Sequence, residues 1–107
     1  MKGWKQAYTM GYENVVIVEL DIPDDALLRH TERFGLAKDF YTCDKAKVAS
    51  ISSFDKKHFV TKARSLRSQK FVYTVGEEVY SKVENDIGDR PGIYFFKTRE
   101  QAEKYEY

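Results

Sequence analysis

Residues 15–22 constrain this chain more than any other stretch. Val16, Val18, Leu20 and Ile22 form one wholly apolar row, while Val15, Ile17, Glu19 and Asp21 form a second row that turns from apolar to charged. A repeat at every second residue is the period of a β-strand. A strand that is apolar on one face and half apolar on the other is covered on both sides for part of its length. It therefore sits centrally in a sheet, with one end emerging at Pro23. A chain of 107 residues has material for one core, so residues 1–107 are read as a single domain built around this strand.

Other runs supply its neighbours. Residues 3–9 read as a strand whose Trp4, Gln6 and Tyr8 side is the buried one, followed by a turn at 10–14. Residues 45–53 read as a second main strand, with Ala46, Val48 and Ser50 on one face and Lys47, Ala49 and Ile51 on the other. Residues 38–42 are a loop or short strand. Residues 71–75 and 78–83 read as strands paired through a two-residue hairpin at Gly76 and Glu77. Residues 84–91 are a polar loop. Pro91 and Gly92 then signal a turn, and Ile93, Tyr94, Phe95 and Phe96 read as a buried strand. Thr98 stands three residues before Gln101, the spacing of a capping box, so a helix starts at Arg99. Pro23, Asp24 and Asp25 suit the start of one or two further helical turns over 24–30.

The fold class expected is α+β: a small mixed or antiparallel sheet of about five to six strands with about one to three short helices. Its core comprises Trp4, Val16, Val18, Leu20, Ile22, Val48, Phe71, Tyr73, Val75, Ile93 and Phe95. Edge strands in so small a sheet favour a homo-oligomer. Seven Phe, eight Tyr and Trp4 make the core aromatic, inside a charged shell of net charge +1. That charge does not point the molecule as a whole at duplex nucleic acid or membranes. Cys43 is the one cysteine, which excludes an internal disulfide and fits a reducing compartment. There is no signal-peptide pattern and no apolar run approaching about eighteen residues, so a cytoplasmic protein is expected.

Candidate chemistry is sparse. His30, His58 and Cys43 have no metal-ligand spacing, so no metal and no cofactor are expected. Cys43 with either histidine would need a geometry that the sequence does not specify, and no catalytic residue is assigned. Residues 56–70 are more informative. Lys56, Lys57, Lys62, Arg64, Arg67 and Lys70 carry six positive charges with no acid among them, and Phe59, Ala63 and Leu66 recur at helical spacing. A short basic helix or ordered loop would place Arg64 and Arg67 on one face, able to clamp a phosphate or carboxylate. Phe59 and Phe71 could stack on a base. A solvated helix face is the competing reading. Lys70 belongs to the same candidate site, and Arg90 sits at the mouth of the terminal strand.

Four blocks carry a resemblance: Val-Ile-Val-Glu-Leu-Asp-Ile-Pro-Asp-Asp-Ala at 16–26, Cys-Asp-Lys-Ala-Lys-Val at 43–48, Phe-Val-Tyr-Thr-Val-Gly-Glu-Glu-Val at 71–79, and the terminal unit 92–105. Together they resemble an uncharacterised domain found after pentapeptide-repeat arrays and as small free-standing proteins of phages, large viruses and bacteria. That resemblance implies a mixed-sheet fold and a viral or mobile-element setting, with host cytoplasm as the location if phage-encoded. The terminal unit is also similar to one piece of the ADP-ribosyltransferase fold, through Gly92, Ile93, Tyr94, Phe95, Ala102 and Tyr105. There the strand helps to wall the NAD site, which implies a ligand role for Tyr94. The later catalytic strand of those enzymes has no counterpart here. The function expected is therefore a viral-type, non-enzymatic binding protein, a counter-defence factor that sequesters a nucleotide-like ligand or blocks a host protein, using Arg64, Arg67, Lys70, Arg90 and Tyr94. An NAD-using enzyme related to ADP-ribosyltransferases and a protein-interaction adaptor are the alternatives.

Overall fold

A computed structural model describes residues 1–31, 40–66, 71–80 and 92–105. Among these lie nine strands and one helix: β1 (Lys2–Thr9), β2 (Val15–Asp21), β3 (Leu28–Thr31), β4 (Phe40–Cys43), β5 (Lys45–Ser52), β6 (Lys62–Ser65), β7 (Val72–Thr74), β8 (Glu78–Tyr80), β9 (Ile93–Phe95) and α1 (Arg99–Glu103). The strands form a six-stranded sheet in the order β7-β6-β1-β2-β5-β8 and a three-stranded sheet β3-β4-β9. Every strand pairing among the described residues is antiparallel. The protein is mainly β rather than α+β, because two of the three segments with helix signals form strands instead and only α1 is helical among the described residues. Residues 28–31 of the first pair with β4. In the second, Ala63 and Ser65 are buried while Lys62 is exposed and Arg64 half-buried, the two-residue period of β6. Phe59, expected on the apolar stripe of a helix, is instead 68% exposed.

The six-stranded sheet is rolled. Four strands separate β7 from β8, so in a flat sheet they would lie about 24 Å apart. Only Val75, Gly76 and Glu77 join them, a link that spans at most about 14 Å. The two edges must curl towards each other. This corrects the expected hairpin: β7 pairs with β6, β8 pairs with β5, and Gly76 and Glu77 bond the backbone of Val48 on the way. Val75, placed in the core by the sequence, sits on this link and is exposed.

Two close links tie the second sheet to the first. The chain passes from β4 to β5 through Asp44 alone. At the other side Trp4 N donates to Phe96 O at 2.9 Å and Phe96 N to Trp4 O at 2.8 Å, so the edge of β1 is shared between β6 and the end of β9. The core between the sheets is lined by Ala7, Val16, Val18, Leu20, Ile22, Cys43, Val48, Ile51, Tyr73 and Phe95. Ile51 reaches it through a bulge: β2 residues Glu19 and Leu20 pair with Ser50 and Val48, skipping Ala49 and shifting the alternation that the sequence implied.

Strand β1 also turns out differently from its pattern. Its more deeply buried row is Gly3, Lys5 and Ala7, and Trp4 and Tyr8 are only half-buried. Gly3 is required there. A Cβ on it would lie 2.4 Å from Cδ2 of Phe95, whose ring is wholly enclosed. On the opposite side, α1 packs Ala102 with Ile17, Tyr94, Phe96, Trp4 and Tyr105. Thr98 caps the helix by accepting from Gln101 N at 3.2 Å, as its spacing implied. Gln6 caps the other end, donating to the carbonyls of Ala102 at 2.8 Å and Tyr105 at 2.9 Å.

Cys43 is fully enclosed in the core. Burial, with Asp44 adding to it and Lys5 opposing it, pushes its thiol up to about 11 from 9.0. Stability should therefore fall as pH rises from 9.0 to about 11, because the unfolded chain releases this proton first. In Cys43→Ala that part of the alkaline loss should vanish. Cys43→Ser should cost about 1–3 kcal/mol, since a hydroxyl replaces an apolar thiol in the core. An exposed-cysteine reading would predict no change. Thiol labelling of the native protein at pH 8 tests it independently: rapid modification would contradict the packing.

Candidate functional site

One end of the rolled sheet gathers aromatic and cationic side chains. The 10–14 turn joins β1 to β2, the 53–58 tip follows β5, and Lys62 opens β6. Antiparallel pairing brings all three to the same end. The register sets Arg64, Tyr8 and Val15 in one row, and the tip that carries Phe54 begins directly after Ser52, the partner of Ile17. Tyr12, Phe54 and Phe59 are 46%, 41% and 68% exposed, amid Lys56, Lys57 and Lys62, which are also exposed.

The parts are fixed in place. Arg64 donates from Nε to the Met10 carbonyl at 3.0 Å, and its guanidinium lies 5.5 Å from the Tyr12 ring centre. Tyr12 in turn packs on Tyr8 at 5.6 Å. In the tip, Asp55 accepts from Ser53 Oγ at 2.5 Å and from Lys57 N at 3.0 Å, contacts that draw its carboxyl below the usual range. Arg99 of α1 braces the tip's base, donating to Ser52 Oγ at 3.1 Å and to the Ser53 carbonyl at 2.9 Å. Tyr12 and Lys56 take left-handed backbone, with φ of 62° and 64°; among the described residues they are the non-glycine cases. Glycine would adopt that conformation at lower cost. Such strain is enriched where a side chain is kept for a task.

Charge separates this end from the other. A cleft of about 480 Å³ opens at the opposite end, lined by Lys2, Asp21, Lys45, Lys47 and Glu78 over Ile22 and Pro23. There Lys2, Asp21, Lys47 and Glu78 stand in consecutive register across β1, β2, β5 and β8, alternating in sign. Lys2 also meets Glu19 at 3.2 Å and Lys45 meets Asp25 at 2.6 Å. Lys2 and Lys45 are thus already paired, and the other charges stand beside opposite ones in the register. At the aromatic end no carboxylate pairs with Lys56, Lys57 or Lys62 among the described residues.

Of the site residues expected from sequence, Arg64 is at this end, and Arg67, Lys70 and Arg90 lie outside the described residues. Arg64 stands on a strand, so the helical clamp with Arg67 is not its geometry. Tyr94 is buried, with its ring 3.8 Å from the Lys5 ammonium and against Phe96 and Tyr105. Lys5, 2% exposed, also donates to Tyr73 Oη at 2.5 Å. Burial lifts the Tyr73 phenol well above its ordinary range. This interior group of cation and rings is a packing device, and Cys43 beside it is poorly suited to act as a nucleophile. No cluster of metal-ligating side chains occurs among the described residues, and no helix among them is long and apolar enough to cross a membrane. Sequence reasoning missed Tyr8 and Tyr12: a strand residue and a turn residue are joined only by the hairpin fold.

The chain belongs to DUF5758, a family of unknown function whose sequence model matches residues 1–102. No curated protein and no solved structure matches it. The match agrees with the expected likeness to an uncharacterised domain; pentapeptide repeats and ADP-ribosyltransferases do not enter into it.

Proposed function

We propose that this family member is a small binding protein, of viral type by its sequence resemblance, that holds a nucleotide-like ligand at its aromatic, basic end. The observation that carries the reading is the Arg64–Tyr12–Tyr8 cluster beside three exposed lysines without acidic partners among the described residues. Rings accept a base face and cations accept phosphate, so the two halves of a nucleotide have matching surfaces here. The transferase alternative leans on Tyr94, whose ring face is taken by Lys5. Blocking of a host protein through an acidic patch would use the same cations without needing the rings.

Calorimetry with nucleoside mono- and triphosphates at two salt concentrations tests this. Arg64→Gln should weaken binding roughly ten- to a hundredfold, the weight of a charge-assisted contact of about 1.5–3 kcal/mol. Binding should also weaken with added salt. Lys56→Gly should weaken binding yet raise stability by about 0.5–1 kcal/mol, because it removes left-handed strain. Unchanged affinity in both variants would remove this end from the site.

A further inference from the structure

We infer that the natural ligand of this surface is single-stranded nucleic acid, read as an extended chain rather than as one nucleotide. The inference rests on the ligand reading above and narrows it. A site for a single small molecule encloses most of its ligand in a recess. Here the rings stand out from the surface: Phe59 has about two thirds of its area in water, and Tyr12 and Phe54 have nearly half. Rings this open can each carry a base of a strand that runs past them, which is how sequence-tolerant single-strand binders gain affinity.

The cations are arranged for a backbone. Lys56 and Lys57 are on the tip after β5, while Lys62 and Arg64 are on β6, beyond β1 and β2 in the sheet order. They come from two elements, the tip and β6, rather than from one turn, which suits a strand with a phosphate at every nucleotide. Among the described residues, the acids of the two turns at this end are Glu13 and Asp55, and Asp55 is engaged within its own turn. A duplex fits poorly, since its bases are stacked inside and cannot reach the rings. The turn hydrogen bonds and the Arg99 brace keep the platform ordered before any ligand arrives.

The test is fluorescence anisotropy with fluorescein-labelled thymidylate 12-mer, competed by unlabelled thymidylates of one, four and eight nucleotides and by a 12-bp duplex. Affinity should climb with length, with the mononucleotide at least a hundredfold weaker than the 8-mer and the duplex at least tenfold weaker than the 12-mer. Phe59→Ala and Phe54→Ala should each cost roughly five- to a hundredfold, the range for losing one stacked base. With four cations engaged, the slope of log affinity against log salt should be about −3, falling to about −1 in the Lys56→Gln, Lys57→Gln, Lys62→Gln variant. The length series needs no variant and stands even if one misfolds. A mononucleotide that competes as well as the 8-mer would overturn the polymer inference and leave the nucleotide reading intact. A duplex that binds equally, or Phe variants with unchanged affinity, would overturn it in favour of charge alone. No binding of any nucleic acid, with poly-glutamate bound instead, would overturn both readings.

Discussion

Replacing Gly3 with valine is expected to destabilise the protein by at least about 3 kcal/mol and to leave a large unfolded fraction at 37 °C. The first added carbon would lie 2.4 Å from Cδ2 and 2.8 Å from Cγ of Phe95, with Ile22 Cδ1 at 3.0 Å. Phe95 has no solvent-exposed side to retreat to, and the Trp4–Phe96 backbone bridge pins the strand next to it. Overpacking a close-packed core costs about 1–3 kcal/mol for one or two methylenes, and more where nothing can yield. Valine's preference for strands returns about 1 kcal/mol at most, so the clash prevails. Urea unfolding measures the loss. Gly3→Ala combined with Phe95→Leu should be more stable than the sum of the single changes implies, since the smaller side chain makes room for the methyl. Wild-type stability in Gly3→Val would mean that the two sheets do not meet at this point.

Gly92→Val should lose about 3 kcal/mol or more. At φ of +107° a side chain is strained wherever it points, at about 1–3 kcal/mol. Space adds to this, because the new carbon would meet the Cys43 carbonyl oxygen and Thr42 Cβ, both at 3.1 Å. Thr42 and Cys43 are buried on β4, paired with β9, and cannot swing away. Gly92→Ala should show most of the loss, which separates backbone strain from bulk. A neutral pair of variants would make the terminal strand peripheral to the fold.

The sequence made some elements legible and hid others for definite reasons. β2 could be read because both its faces are apolar where both are covered, so pattern and burial agree at every residue but the exposed Val15. The terminal unit could be read because Gly92, Thr98 and Gln101 act within a few residues of themselves. The β7–β8 hairpin was misread for the complementary reason. Gly76 does adopt positive φ, yet which strands pair is decided by the rolling of the whole sheet. Lys5 was not legible as a core residue, since an ammonium is buried only when distant rings such as those of Tyr73 and Tyr94 surround it. The candidate site was half legible. Its cations stand together in the chain, but their helical arrangement was inferred from a stripe that does not exist, and the tyrosines that complete the surface come from the other end of the sequence.

The shared edge of β1 sets a clock on folding. Lys5 waits 68 positions for Tyr73, and Gln6 waits 96 positions for the Ala102 carbonyl. A ribosome adding about 5–20 residues per second needs on the order of 5–20 s to deliver those partners. During that interval the earliest strand pair has Trp4 and Tyr8 uncovered and its second edge open. Contacts this distant in sequence form slowly even in the finished chain, in about milliseconds to seconds. The earliest made of these strands is therefore among the last to be sealed, and new chains at high expression are open to edge-to-edge pairing just before closure.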